Sequence, residues 1–361
     1  MNKPFTAFQD ILAAVNAFDE KAYAETRNFA DGAVSRLSPY ISRGCISTRF
    51  VFETIVAKNP GAAKGKFIQE LLWRDYFQRL LQDKPDLCDK PVRPEDWISS
   101  RNGIPIAVLN AASGISAIDQ AIESLYETGY MHNHFRMYVA ALCCNIAKCG
   151  FQIPARWMYY HLLDADIASN YASWQWVAGH LTGKNYIANQ ENINHYSRSV
   201  QHRTFLDTTY EKLGQLPVPE ILKEHTAPIL ETLLPETPLP KLSGKPVLLY
   251  TFYNLDPLWH RDDDCHRLLI LEPSHFRRFP VSEKVMEFTL KLATNIPNLI
   301  IYCGAFSQLK AAYPNHLFIS KEHPLLVFTD AETEPRDWIV PEVTGFFPSF
   351  SKYYQKCLKY L

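Results

Sequence analysis

Several things are scarce in this chain, and each scarcity removes a class of protein. There is almost no excess of charge, −1 net over 361 residues, so no global basic field draws it to nucleic acid. The balance holds along the length: residues 1–215 carry 22 Lys+Arg against 21 Asp+Glu, and residues 216–361 carry 15 against 17. Any contact to a polyanion must therefore come from a local patch. Eight cysteines stand at 45, 88, 143, 144, 149, 265, 303 and 357, and no two form a CxxC pair. Ribbon-type zinc sites and dithiol redox motifs are thereby removed. Cys143, Cys144 and Cys149 fall on one apolar helical stretch and read as small buried thiols. No apolar run reaches the roughly 20 residues that cross a bilayer. Met1 to Asp10 lacks the basic start and apolar stretch of a leader. The expected setting is a reducing cytoplasm, with no membrane partner and a monomeric chain. There is no internal repeat and no low-complexity tract.

Aromatic residues, by contrast, are plentiful: 13% of the chain, including seven Trp. The length exceeds one average core and predicts two domains. Apolar spacing predicts a helix over 5–19, then a polar loop to about Asp31-Gly32. Ser47 reads as the N-cap of a helix through Lys58, followed by a helix over 64–82 and a loop from Lys84 to Pro105. Helices follow over 115–128, 132–148, 154–163 and 166–178, and nothing through residue 205 alternates like a strand. Seven prolines between 217 and 246 mark a linker. Beyond it, Val247 to Tyr253, Leu268 to Leu271, Leu299 to Cys303 and Leu325 to Phe328 read as strands. Helices over 282–294 and from about Ser349 complete a small α/β part. The fold class is thus mainly α: a helical domain over 1–215, a Pro-rich linker over 216–245, and a small α/β domain over 246–361.

Polar residues share helical stripes with large aromatics. Asn133, Arg136 and Met137 lie on one face at i, i+3 and i+4; Asp166, Asn170 and Trp174 lie on another at i, i+4 and i+8. Core helices fill such stripes with Leu, Ile and Val. A carboxylate, an amide and an indole in one row instead predict a buried site for a large, flat, polar-edged ligand. Glu70, Trp73, Arg74 and Phe77 form a third stripe, where Glu70 and Arg74 have the spacing of an i, i+4 ion pair. Ser35-Arg36-Leu37-Ser38-Pro39 can hold a phosphate or simply cap a helix. Asp164 and Asp166 lack the further ligands of a Mg²⁺ or Zn²⁺ site, and no metal is expected. A bond to a ligand, or to Arg136, suits them better.

Taken together these segments resemble the DNA photolyase/cryptochrome family over residues 8–200. The motifs are Tyr23-Ala-Glu-Thr-Arg27-Asn-Phe29, Ser35 to Pro39, Glu70-Leu-Leu-Trp73-Arg74, Met131-His132-Asn133, Arg136-Met137, Asp164-Ala165-Asp166, Asn170 and Trp174-Gln175-Trp176. The resemblance implies FAD in a helical bundle, active in its reduced form. Tyr23, Ser35, Arg36, Leu37 and Ser38 would hold its diphosphate. Phe67, Arg74, Arg136, Asp164 and Asp166 would surround the flavin and ribityl chain, with Asn170 at flavin N5. An amide there accepts the N5–H without adding a charge. The resemblance also implies DNA containing pyrimidine dimers as substrate. Trp73 and Trp176 would be aromatic walls for a flipped-out dimer, Glu70 and Asn133 would bond its polar edges, and Met137 would cover its cyclobutane side. Arg27 and His134 would face DNA. The implied activity is light-driven splitting of cyclobutane dimers, a lyase reaction, with a cryptochrome-like photosensor as the alternative.

Two departures qualify the likeness. Trp174 and Trp97 match the ends of the usual tryptophan relay, but the middle position falls on Phe151, with Trp157, Tyr159 or Tyr171 as other routes. The family's antenna-type α/β domain precedes the helical domain, whereas here an α/β segment follows it, as a relocated domain would. That segment carries no Gly-rich phosphate fingerprint, so an antenna chromophore stays open. Lys184, Arg198 and Arg203 are further candidates for phosphate contact.

Overall fold

The computed structural model describes residues 4–93 and 101–361; the expectation for Trp97 lies outside the described residues. Helix α1 (Phe8–Ala17) buries Ile11 and Val15. The expected polar loop after it is instead α2 (Glu20–Thr26), started by the Asp19 carboxylate, which accepts from Lys21 and Ala22 N–H. No residue of α2 is fully buried, so it leaves no apolar periodicity to read. Short α3 (Ser38–Ser42) has Pro39 in its first turn. Ser47 caps α4 (Thr48–Lys58) as expected, its hydroxyl accepting from Phe50 N–H. Then comes the long α5 (Lys66–Asp83), which buries polar Asp75, Gln78 and Arg79 along with its apolar residues.

Next are α6 (Ile106–Leu109), α7 (Ser116–Thr128), α8 (Asn133–Ala141), α9 (Gln152–His161) and α10 (Ile167–Val177). The helix expected over 132–148 changes pitch at Leu142–Ile146, a π turn that buries Cys143 and Asn145. Helices α11 (Gln190–Ser197) and α12 (Tyr210–Leu213) were not legible as apolar stripes. Around α10 pack α5, α8 and α9, and this arrangement positions the candidate site. A two-residue strand, β1 (Ile104–Pro105), pairs antiparallel with β2 (His225–Thr226).

The proline-rich stretch is a strap pinned along its course. Thr232 exchanges bonds with both backbone groups of Val281, Tyr160 donates to the Glu231 carbonyl, and Cys303 N–H donates to the Thr237 hydroxyl. The strands that follow are β3 (Val247–Tyr250), β4 (His266–Leu271), β5 (Leu299–Cys303), β6 (Phe318–Lys321) and β7 (Glu332–Glu334). All pair in parallel, in the order β5-β4-β3-β6-β7. Helices α13 (Pro273–Arg278), α14 (Glu283–Ala293), α15 (Phe306–Ala312) and α16 (Phe350–Cys357) accompany the sheet. The helical part followed by an α/β part is thus the observed order. One expected strand is corrected: Leu325–Phe328 is loop, lining a cavity of about 610 Å³ with Glu272, Arg278, Phe306 and Lys310. Of these side chains only Phe328 is buried while Val327 is exposed, and the ladder uses Phe318–Lys321.

The two parts meet closely. Gly44 has φ +64°, and a Cβ there would stand 2.3 Å from the Tyr253 carbonyl oxygen, so only glycine admits this approach. Beside it, Leu255 N–H donates to the Arg43 carbonyl. The Arg43 guanidinium is fully buried over the Phe252 ring at 3.5 Å. Tyr159 and Tyr253 share an O···O bond of 3.0 Å, and Tyr253 stacks on His323. At another point Asn295 clasps the first residues of the helical part, accepting from Phe8 N–H and donating to the Thr6 carbonyl.

Candidate functional site

The α10 row is assembled from its own cap upward. Asp166 is the N-cap: its Oδ1 accepts from Ser169 N–H at 2.8 Å. Its Oδ2 accepts from Arg74 at 3.1 Å and from Gln78 at 2.8 Å. Arg74 also donates to the Ser42 hydroxyl, which donates to the Asp164 carbonyl. Asp164 takes the Arg136 guanidinium at 3.0 Å, and Arg136 Nε donates to the Met131 carbonyl. Burial alone would raise the Asp164 pKa, but Arg136 and the Ser38 hydroxyl together hold it below the ordinary carboxylate range. Asp164 therefore stays ionised, and the two guanidinium groups are held in place by their carboxylate partners.

Asn170, one turn on, donates its Nδ2 to the Ala155 carbonyl at 2.8 Å. That bond fixes the amide so that its carbonyl oxygen is the end left for an incoming N–H. Trp174 closes the row, buried. The Ser169 hydroxyl on the same helix is buried with no hydrogen-bond partner among the described residues, as suits the edge of a polar ligand. The spacing-based pair of Glu70 with Arg74 is not formed. Arg74 turns to Asp166, and Glu70 pairs one turn back with Lys66 at 3.1 Å and faces Arg27 at 3.9 Å.

The other expected cofactor residues lie along one rim. Phe67 packs with Tyr23 at 5.0 Å and with Phe18 at 4.3 Å. Burial pushes the Tyr23 phenol up, with Glu70 adding to it, so it stays a neutral donor. Arg36 has φ +51° and lies over the Tyr130 ring at 4.8 Å. The Ser35 hydroxyl accepts from Leu37 N–H, and Leu37 starts α3. Ser35, Ser38, Arg36 and Arg74 supply donors of the kind an anionic diphosphate needs.

The expected substrate residues are more open. Asn133 is exposed, and His134, Met137, Trp73 and Trp176 are partly so. His134 Nδ1 bonds the Asn28 carbonyl at 2.9 Å. Trp176 neighbours Tyr186, with ring centroids 5.9 Å apart, and Tyr186 reaches toward His134 Nε2. Trp73 is stacked on Phe350 of α16 at 3.8 Å and 12°. Arg27 donates to the Ala24 carbonyl, and Arg198 is engaged by Asp31. Sequence reasoning missed Gln78, Tyr186 and Phe350. Gln78 stands four residues from Arg74 and could have been found; the other two have no sequence signal. Phe151 is fully buried near His180, and Tyr159 bonds Tyr253. Among the described residues no group of three or more His, Cys, Asp or Glu could hold a metal, and no helix is long and apolar enough to cross a membrane.

Residues 67–231 match the family model described as the FAD binding domain of DNA photolyase. A deoxyribodipyrimidine photo-lyase of Streptomyces griseus is 32% identical over 155 residues, which are 42% of this chain and 33% of that protein. A cryptochrome DASH of Danio rerio is 31% identical over 177 residues, 44% of this chain and 32% of that protein. A solved class III photolyase from Agrobacterium tumefaciens has 25% identity and TM-score 0.46, covering 53% of this chain and 44% of that one. The matched segment spans about a third of each curated relative's own length.

Proposed function

The chain belongs, through its helical part, to the photolyase/cryptochrome family, and on that premise we propose that it repairs cyclobutane pyrimidine dimers in DNA. The observation that carries the reading is the fixed amide of Asn170, tied to the Ala155 carbonyl in the row begun by Asp166. A carboxylate in that place would repel an anionic reduced flavin; an amide does not. Reduced FAD, when bound, supplies the light-excited electron that opens the cyclobutane ring and takes it back.

The protein's own work is binding and exclusion. Arg74 and Arg136, held by Asp166 and Asp164, present charge to the cofactor without swinging free. Ser35, Arg36 and Ser38 would hold its diphosphate. Trp174 would line the flavin pocket, and the Asn170 amide oxygen would accept from the flavin N–H. On the open rim, Trp176, Met137 and Trp73 receive the apolar and aromatic faces of the dimer, while Asn133 and Glu70 bond its imide and carbonyl edges. No nucleophile or proton donor is required. The cavity of about 610 Å³ beside Leu325–Phe328 is the place we propose for any second chromophore.

The decisive assay is blue-light repair of a thymine dimer in single- and double-stranded oligonucleotides by reduced, FAD-loaded protein. Glu70→Ala and Asn133→Ala should cut repair at least tenfold while FAD stays bound. FAD binding with no repair of either substrate rejects this function and favours photosensing. Retained repair in both variants rejects the residue roles.

A further inference from the structure

We infer that Phe350 is a positioning residue for the Trp73 wall: it fixes the indole plane so that the opposite face is presented to the dimer. The inference rests on the proposed repair function and concerns how one wall of that site is built. Counting round α5 at about 100° per residue, Phe77, Glu70, Arg74 and Gln78 follow Trp73 in one direction. Tyr76, Arg79 and Asp75 follow it in the other. Arg74 and Gln78 reach Asp166 and so mark the cofactor side.

Besides Trp73 itself, the residues of α5 that hold the 338–357 segment are Tyr76, Arg79 and Asp75, which follow Trp73 in that other direction. The Asp75 carboxylate accepts from Ile339 N–H at 3.0 Å, and Arg79 lies over the Trp338 ring at 3.6 Å. Tyr76 donates to the Phe347 carbonyl and packs against the fully buried Tyr353. Phe350 is itself 7% exposed. Its ring contacts among the described residues are with Trp73, Tyr76 and Tyr354, and none is with Trp176. The ring therefore lies behind the indole and not between the two expected walls.

A flat stack at 3.8 Å with 12° between planes removes the indole's freedom to rotate about its side-chain bonds. A wall already in its final orientation spares the complex that ordering cost. An aliphatic side chain could fill the same volume but could not set the plane. This is the distinction the experiment uses.

The test takes the full, FAD-loaded chain as wild type, Phe350→Ala, Phe350→Leu and Phe350→Tyr, each also carrying Trp73→Phe. Acrylamide quenching, compared with and without Trp73→Phe, isolates the Trp73 signal. Titration with a fluorescent thymine-dimer oligonucleotide gives affinity, and single-turnover repair gives the rate at saturation. Phe350→Ala and Phe350→Leu should expose Trp73 to quencher and weaken dimer binding about three- to tenfold. The saturated repair rate should stay within about twofold, and Phe350→Tyr should restore both properties. Wild-type affinity in Phe350→Leu overturns the inference, because volume alone then suffices. Tighter binding in Phe350→Ala also overturns it, by showing an obstruction. If wild-type protein binds no dimer while Trp73 still becomes quenchable in Phe350→Leu, the repair function fails and the clamp on the indole stands apart from it.

Discussion

The row on α10 and the rim around α8 draw on the same residue types and treat them in opposite ways. In the α10 row, the carboxylate and the amide are engaged by protein partners before any ligand arrives: Asp166 holds Ser169 N–H, Arg74 and Gln78, and Asn170 holds Ala155. On the α8 rim, Asn133 stands exposed and Met137 and Trp176 are partly so. A resident cofactor favours a fixed cradle, whose ordering cost is met once, on folding. A substrate that comes and goes needs groups whose bonds are still to be made. The two treatments suit the two occupants proposed for them.

Changes on the fixed side should therefore cost stability, and changes on the open rim should cost binding alone. The largest effect is expected for Asp166→Ala, which leaves Arg74 without its partly buried partner and removes the α10 cap. Urea unfolding should show a loss of about 3 kcal/mol. A loss below about 1 kcal/mol would break the comparison.

Next comes a pH effect that sharpens it. Burial raises Asp75 to about 6, against the opposing bonds from Ile339 N–H and Thr48. Its folded pKa lies above its unfolded one, so its contribution is present at lower pH and is lost as pH rises through about 6. That loss is on the order of 2 kcal/mol, and Asp75→Asn should flatten the profile there. Asp164, held low by Arg136 after burial is overcome, has the opposite sign and loses its contribution on acidification. A folded carboxylate paired with a guanidinium and one bonded only to neutral donors thus shift in opposite senses.

Smaller still, Asn170→Ala should cost about 1 kcal/mol through the lost side-chain bond to the Ala155 carbonyl, together with weaker FAD retention on gel filtration. Smallest in stability are Asn133→Ala and Trp176→Ala, within about 0.5 kcal/mol of wild type by thermal unfolding. Each should still lose dimer affinity tenfold or more. Equal stability losses on both sides would erase the distinction.

The α10 row was legible because helical spacing puts Asp166, Asn170 and Trp174 on one face. Arg136 with Asp164 was legible as charge against charge. Of the partners that fix these groups, Ser42 and Ala155 were not, because they come from other segments of the chain. Glu70 and Arg74 show the limit of spacing: the geometry of an i, i+4 pair was present, but Arg74 was taken by Asp166 from another helix and Glu70 by Lys66 one turn back. Leu325–Phe328 was misread because a loop facing a cavity and a buried strand carry the same apolar residues. Helix α2 was missed because it buries nothing fully. The Gly44 approach and the Phe350 stack depend on chain segments more than 200 residues apart, and no local pattern announces them.

Asn295 bears on how the molecule comes apart. With its side chain holding Phe8 N–H and the Thr6 carbonyl, and α16 seated on α5, each part grips the other at two separated places. Opening the helical part alone would strip these bonds and expose the Arg43 guanidinium, so partial unfolding forfeits contacts on both sides at once. Heat should therefore melt the chain as one cooperative unit, with calorimetric and van't Hoff enthalpies in agreement, and two resolved transitions would show that the clasp is slack.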